Sequence, residues 1–253
     1  MLKTSCTGHL RKILLLLVGF FIVVRLEAQE IGEFYHDVTL KEWDFQLMVN
    51  TGGFSVGFQH GRTPDILNKH FWEIALAYNQ HPKSVRSYNA MYEGVRPCRY
   101  GQLCTLFFLH GGYGYERTLH QKPYWGGVKV SYNFSLGASL GLAIPTYVEV
   151  LNYNTGFAEF AQYDPEKHNL NNILGGAPMF KGILQTKFRP GFYAKTGLNF
   201  DFAKDDYKLR ALEVGLALDM VFPFVQQMAF NDAKPFYLCA YLAFNFGKRK
   251  GIH

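Results

Sequence analysis

Ten charged side chains sit at alternate positions in stretches whose other positions are apolar. They are Glu73, Glu116, Asp201, Glu213 and Asp219 with Lys129, Lys181, Lys187, Arg189 and Lys195. If all ten turn into one narrow interior they must pair, because an unpaired buried charge costs several kcal/mol. Such a set could line a selective channel, serve as acid and base, or plug the interior as a salt-bridge network. A narrow interior, filled by side chains, favours the plug. His110 lies on the same polar side as Glu116 and joins the set. A hydrolase would need a nucleophile beside such a histidine. GxSxG strings occur at 53–57 and 137–141, but inside alternating stretches and not at the strand-to-helix turn the motif needs, and no histidine is followed two residues later by Ser, the pairing expected of barrel deacylases acting on lipid A. No HExxH or other metal spacing occurs either. The reading is therefore no enzyme: no catalytic residue, no metal and no cofactor.

Two further groups of residues could carry chemistry. Cys98 and Cys104, spaced CRYGQLC, could close a small disulfide ring in an oxidising compartment or stand as two free thiols. DPEKHNLNNIL has Asp164 and Pro165 placed to start a short helix, and Gly175–Gly176 placed to end it. Glu166, Lys167 and His168 would form its exposed first turn, and Leu170, Ile173 and Leu174 its packing face. With Asp164, that first turn is a candidate partner-docking element, since a preordered helix loses less entropy on binding than a loose loop.

The elements that must position these residues are strands. Period-2 alternation recurs throughout, and no long 3.6-residue pattern competes with it. Trp43, Phe45, Leu47 and Val49 alternate with Asp44, Gln46, Met48 and Asn50, and TGG follows as a tight turn. The same holds over 54–60, 72–79 and 105–116. From Val128 to Leu142 fifteen residues alternate without a break, which exceeds a soluble strand's usual ~5–6. Alternation continues over 180–189, then, after a turn at Arg189–Gly191, over 192–202, 212–222 and 236–246. The polar sides are mostly Ser, Gly and Asn with a few charges. That suits a crowded lumen better than the solvated outer face of a sandwich. The glycines of GGYGYE, 111–116, fall within a strand, where they let aromatics or backbones approach closely.

The fold class expected is all-β: an antiparallel transmembrane β-barrel of about eight to ten strands with two long loops, 80–104 and 153–178. Apolar residues make up 48%, aromatics 17% and charged residues 18%, with mean hydropathy −0.08. That excludes a disordered chain and a bundle of transmembrane helices, whereas lipid-facing and lumen-facing residues of a barrel average to neutral. Trp43, Trp72, Trp125, Tyr35, Tyr78, Tyr100 and Tyr124 fall near strand ends, as interfacial aromatic girdles do. Residues 1–28 read as a secretory signal peptide: Lys3, Arg11 and Lys12, the apolar run Ile13–Val24, then Ala28 before the cut. Twelve apolar residues span roughly 18 Å, short of a ~30 Å hydrocarbon core. The barrel domain would then be 29–253. The segment removed has a net charge of +3, which halves the formal +6. The basic balance is no nucleic-acid footprint.

Nine strands are counted, and bacterial single-chain barrels have even numbers. The count is thus eight or ten, with ten favoured by a further strand at 31–39 or 146–152. With ten strands starting at 31, both long loops fall on the periplasmic side; with the extra strand at 146–152 the assignment changes.

The closing strand ends LAFNFG before KRKGIH, with Leu242, Phe244 and Phe246 on one face. It resembles the C-terminal signal of small Gram-negative outer-membrane barrels, although the basic tail departs from it. The resemblance implies location in the outer membrane, contact with its lipid, and recognition of the last strand by the barrel-assembly machinery. It leaves two roles open. One is a non-catalytic accessory or interaction subunit of an envelope assembly, for secretion or barrel assembly, that meets other envelope proteins through its long loops. The other is a small porin-like channel or lipid-binding barrel.

Overall fold

The computed structural model describes residues 40–65, 67–88, 96–122, 127–151, 156–169, 172–205 and 207–251. The proposed signal peptide, the candidate strand at 31–39, and Tyr35, Tyr124, Trp125 and Leu170 lie outside them. Among the described residues eleven strands form in chain order: β1 (Leu40–Asn50), β2 (Gly53–Thr63), β3 (Asn68–Asn79), β4 (Cys104–His120), β5 (Lys129–Pro145), β6 (Tyr147–Leu151), β7 (Ala158–Gln162), β8 (Ile173–Gly176), β9 (Lys187–Asp201), β10 (Lys208–Val225) and β11 (Lys234–Gly251). Eight of them close an antiparallel barrel in the order β1-β11-β10-β9-β5-β4-β3-β2. The last strand zips to the first, Leu40 opposite Gly251 and Asn50 opposite Tyr241.

The barrel is inside out relative to a soluble protein. Along β1 the odd positions Trp43, Phe45, Leu47 and Val49 are exposed, whereas Glu42, Asp44 and Gln46 are buried. Closure pairs the first strand with the last, so the wall can stand in hydrocarbon with no open edge. Trp43 and Trp72 stand on the outer wall, and Trp72 meets Tyr113 edge to face at 5.0 Å.

The strand count is eight, and the difference from nine has a single cause. Residues 180–185 are not a strand: Met179–Gln185 is a short 3-10 helix. Arg189–Gly191 makes no turn but sits inside β9, opposite Gly141, Leu140 and Ser139 of β5. Proline breaks a ladder through its missing N–H, yet Pro190 is accommodated within this strand. The candidate strand at 146–152 does form, as β6, but in a separate three-stranded sheet, β7-β6-β8.

Eight strands put the ends of β1 and β11 that lie nearest the chain termini at one mouth, with the short connections 64–67, 121–128 and 202–207. The other mouth carries 80–103 and 146–186, with the shorter 226–233. Both long loops therefore lie opposite the strand ends nearest the termini.

Candidate functional site

The lumen holds its side chains in layers. Nearest the short-turn mouth, Lys69 Nζ lies 2.7 Å from Glu42, 3.4 Å from Glu116 and 4.0 Å from Asp44. Arg249 donates to Glu42 through Nε at 2.8 Å and to Asp201 through Nη2 at 2.5 Å. In the middle, Lys195 Nζ is 2.8 Å from Glu73 and 3.8 Å from Glu213. Glu73 also accepts from Ser135, Tyr193 and Gln59. Glu213, 1% exposed, accepts from Tyr241 at 2.6 Å, Asn245 at 2.9 Å and Gln46 at 3.0 Å. Above that, His110 Nε2 is 2.7 Å from Asp219, and its ring stacks on Tyr193 with centroids 4.5 Å apart. An apolar layer of Ala77, Leu106, Phe108, Ala143, Val221, Val225 and Tyr237 closes the loop-side end.

Each side chain reaches its layer through strand parity. Glu73 and Lys69 are two steps of alternation apart on β3; Glu213 and Asp219 share one side of β10, and Lys195 and Asp201 one side of β9. Glycine makes room for the bulkier members. A Cβ on Gly114 would fall 2.2 Å from the ring of Phe71, and one on Gly137 would fall 2.6 Å from the ring of Tyr193. A lumen cavity beside Glu73, His110, Tyr193 and Lys195 has a volume of about 30 Å³, space for a few water molecules.

Of the charges singled out in the sequence, the lumen brings together Glu73, His110, Glu116, Lys195, Asp201, Glu213 and Asp219. Lys129 stands half-buried across the ladder from Asp201, at the short-turn mouth. Lys187 is exposed and Arg189 half-buried at the opposite rim, beside Cys104. Lys181 is no lumen residue: it rides on the 3-10 helix with its ammonium 5.0 Å from the centre of the Phe160 ring. The sequence reading missed Glu42, Lys69 and Arg249. Each lies beyond the clearest alternation, but each keeps the parity of its strand, so extending the pattern two to four residues would have found it. Arg249 belongs to the supposed basic tail, which in fact continues β11.

Among the described residues, the lumen pair His110–Asp219 has no nucleophile on the histidine. Ser139 points its hydroxyl at Asp219, 3.4 Å away, and Asp219, not the serine, is the partner of His110 Nε2. Among the described residues no cluster of His, Cys, Asp or Glu could hold a metal.

The second candidate region is the cap formed by the loops. Cys98, Val148, Tyr163 and Ile173 make a buried cluster, with Tyr100, Leu103 and Val150 packed against it. Residues from both long loops thus share one small core. Backbone hydrogen bonds stitch the three loops together: Gly176 N to Arg96 O at 3.0 Å, Leu103 N to Gln227 O at 2.9 Å and Ala229 N to Gly101 O at 2.8 Å. Tyr100 belongs to this core and not to a membrane girdle.

One expectation fails here, and one open alternative closes. The helix at 164–175 does not form. Asp164 instead folds a tight turn, accepting from Glu166 N at 3.1 Å and pairing with Lys167 at 3.2 Å, while its own N–H donates to His168 Nδ1 at 3.0 Å. Gly175 and Gly176 are strand residues of β8, and Ile173 is consumed by the cap core. A carboxylate able to satisfy nearby N–H groups supports a turn as readily as a helix start. Cys98 and Cys104 are free thiols. Cys98 packs in the cap core, whereas Cys104 begins β4, packed against the lumen's apolar layer. Burial raises the Cys98 thiol above its ordinary range.

No protein-family model matches the chain, and no curated protein matches it. Among solved structures it is similar to Neisserial surface protein A, NspA, at 10% identity and TM-score 0.39, covering 83% of this chain and 96% of that one. It is also similar to Ail, the attachment invasion locus protein of Yersinia pestis, solved with the heparin analogue sucrose octasulfate, at 8% identity and TM-score 0.37, covering 85% and 97%.

Proposed function

We propose that this chain is a non-catalytic outer-membrane β-barrel that acts through its loop cap, as an interaction subunit of an envelope assembly. The observation that carries the reading is the contrast between lumen and cap. The lumen is closed by paired charges and an apolar layer, which suits a pillar and not a pore. The cap is a folded unit with its own core. Bacterial barrels keep short turns on the periplasmic side and long loops outside, so the cap faces outward. Its partners on this reading are outer-membrane lipid, the barrel-assembly machinery during insertion, and other envelope proteins, with no nucleic acid. Phe244 and Phe246, exposed on the outer wall of β11, are the residues through which the last strand would be read. An export signal at 1–28 completes the reading.

Two measurements test it. Purified barrel in a planar bilayer should give no single-channel conductance; steady ion-selective openings would favour the porin-like alternative. Replacing 156–169 by a short Gly/Ser linker should leave a folded, heat-modifiable barrel that no longer co-purifies with the proteins bound to the wild type. If the truncated barrel brings down the same proteins, the cap is not the docking element.

A further inference from the structure

The 3-10 helix Met179–Gln185 leaves almost all its apolar side chains uncovered. Leu184 is 97% exposed and Phe180 80%, with Met179 and Ile183 exposed beside them. The helix does not float: Gly182 is its buried residue, seated against the end of β5. A Cβ at Gly182 would lie 2.4 Å from Pro145 O and 3.1 Å from Ile144 Cγ2. On β5 the odd residues Ser131, Ser135, Ser139 and Ala143 face the lumen, so Ile144 belongs to the outer wall. The helix is therefore strapped to the lipid side of the barrel at its loop-side rim. Tyr147 holds its far end, donating from its hydroxyl to Gln185 at 2.6 Å. Below it the wall stays apolar through Phe188, Phe192, Phe222 and Phe224, all exposed. The uncovered face is thus continuous with the surface that stands in lipid. Exposed Lys181 and Lys187 flank it, placed for anionic headgroups by long apolar stems.

We infer that Met179–Gln185 is an interfacial anchor that seats Phe180 and Leu184 among the acyl chains of an anionic outer leaflet, with Lys181 and Lys187 at the level of the lipid phosphates. It sets the height of the barrel and fixes the cap against the membrane surface. An apolar face buried shallowly at the headgroup boundary, with lysines on the polar side, is how amphipathic segments bind membranes. The inference rests on the reading of the wall as lipid-facing, and the test separates the two.

Three single-tryptophan additions are compared with their parent in vesicles of phosphatidylcholine and phosphatidylglycerol: Leu184→Trp, Leu136→Trp in the middle of β5's outer face, and Phe230→Trp on the 226–233 loop. Each is checked for heat-modifiability. Acyl chains brominated near the headgroup end quench tryptophans in contact with them; acrylamide quenches those in water. The expected result is lipid quenching of the added signal at 184 and 136 and acrylamide quenching at 230, with emission at 184 shifted to shorter wavelength than at 230. If 136 is quenched by lipid but 184 behaves like 230, the anchor is wrong and the barrel reading stands. If 136 is not quenched by lipid, the lipid-facing wall falls and the anchor with it. Should Leu184→Trp fail to fold, Phe180→Trp gives the same reading.

Discussion

Inside the barrel, below one apolar layer, the buried side chains are mostly carboxylates, lysines, amides and hydroxyls; in the cap just above they are Cys98, Val148, Tyr163 and Ile173. One chain thus solves burial in two opposite ways. In the barrel, the closed ladder and the surrounding lipid already hold the wall together, so the interior needs only to be satisfied, and Glu213 can be sealed in with three donors. The cap has no closed ladder. Its sheet has three strands, two of five residues and one of four, and a sheet that small needs an apolar face to pack. The contrast teaches that polarity of the core follows from what closes the backbone.

The largest expected effect tests the polar half of that contrast. Lys195→Met leaves Glu73 and Glu213 buried without their shared cation and should cost about 3–5 kcal/mol. The urea midpoint of the folded barrel in detergent would report it. Adding Glu73→Gln and Glu213→Gln to the same variant should recover most of the loss. If Lys195→Met alone is nearly neutral, the lumen is wet and the plug is not a network.

Next in size is the outer wall. Phe244→Asp with Phe246→Asp places two charges in lipid at a depth-dependent cost, below the ~2–4 kcal/mol that a lysine or arginine meets at the midplane. The amount of heat-modifiable protein recovered from the outer membrane should fall. Equal recovery of variant and parent would remove the terminal strand from the assembly reading.

A smaller effect sharpens the apolar half. Ile173→Val should cost about 0.5–1.5 kcal/mol, and only in the cap. Loop proteolysis should accelerate roughly two- to twelvefold while the urea midpoint of the barrel stays put, given that local opening carries its own free energy. A shift of both together would make cap and barrel one cooperative unit.

The smallest effect is at the Asp164 turn. The Glu166 N–H, and after it Lys167, hold this carboxyl below the ordinary aspartate value of 3.8. A depressed folded value stabilises the turn above the unfolded value and loses that support as pH falls through the folded one. Amide exchange at Glu166 should therefore keep its protection between pH 7 and 5 and lose it only below pH 4. Loss already near pH 6 would show that the Asp164 carboxyl does not hold the turn.

What the sequence settled by itself was the barrel and most of its lumen. Period-2 alternation records a wall with two different solvents, lipid outside and side chains inside, and that physics acts on every residue of a strand. Glu73 and Glu213 were legible because each sits between apolar neighbours on both sides, and Glu116 and Lys195 because each keeps the parity of an alternating strand. Where the wall leaves the membrane the outer solvent becomes water, and the alternation loses its meaning. Arg249 and Lys181 were misread for that reason: one continued a strand past its apolar pattern, and the other imitated the pattern in a 3-10 helix. Only the tertiary structure decided the strand count, since Arg-Pro-Gly reads locally as a turn until the ladder to β5 holds it extended. Only it could show that 80–103 and 146–186 share one core, because nothing in either loop encodes the approach of the other. The free state of Cys98 and Cys104 was decided there too, since spacing sets how far two thiols can reach and packing sets where they point.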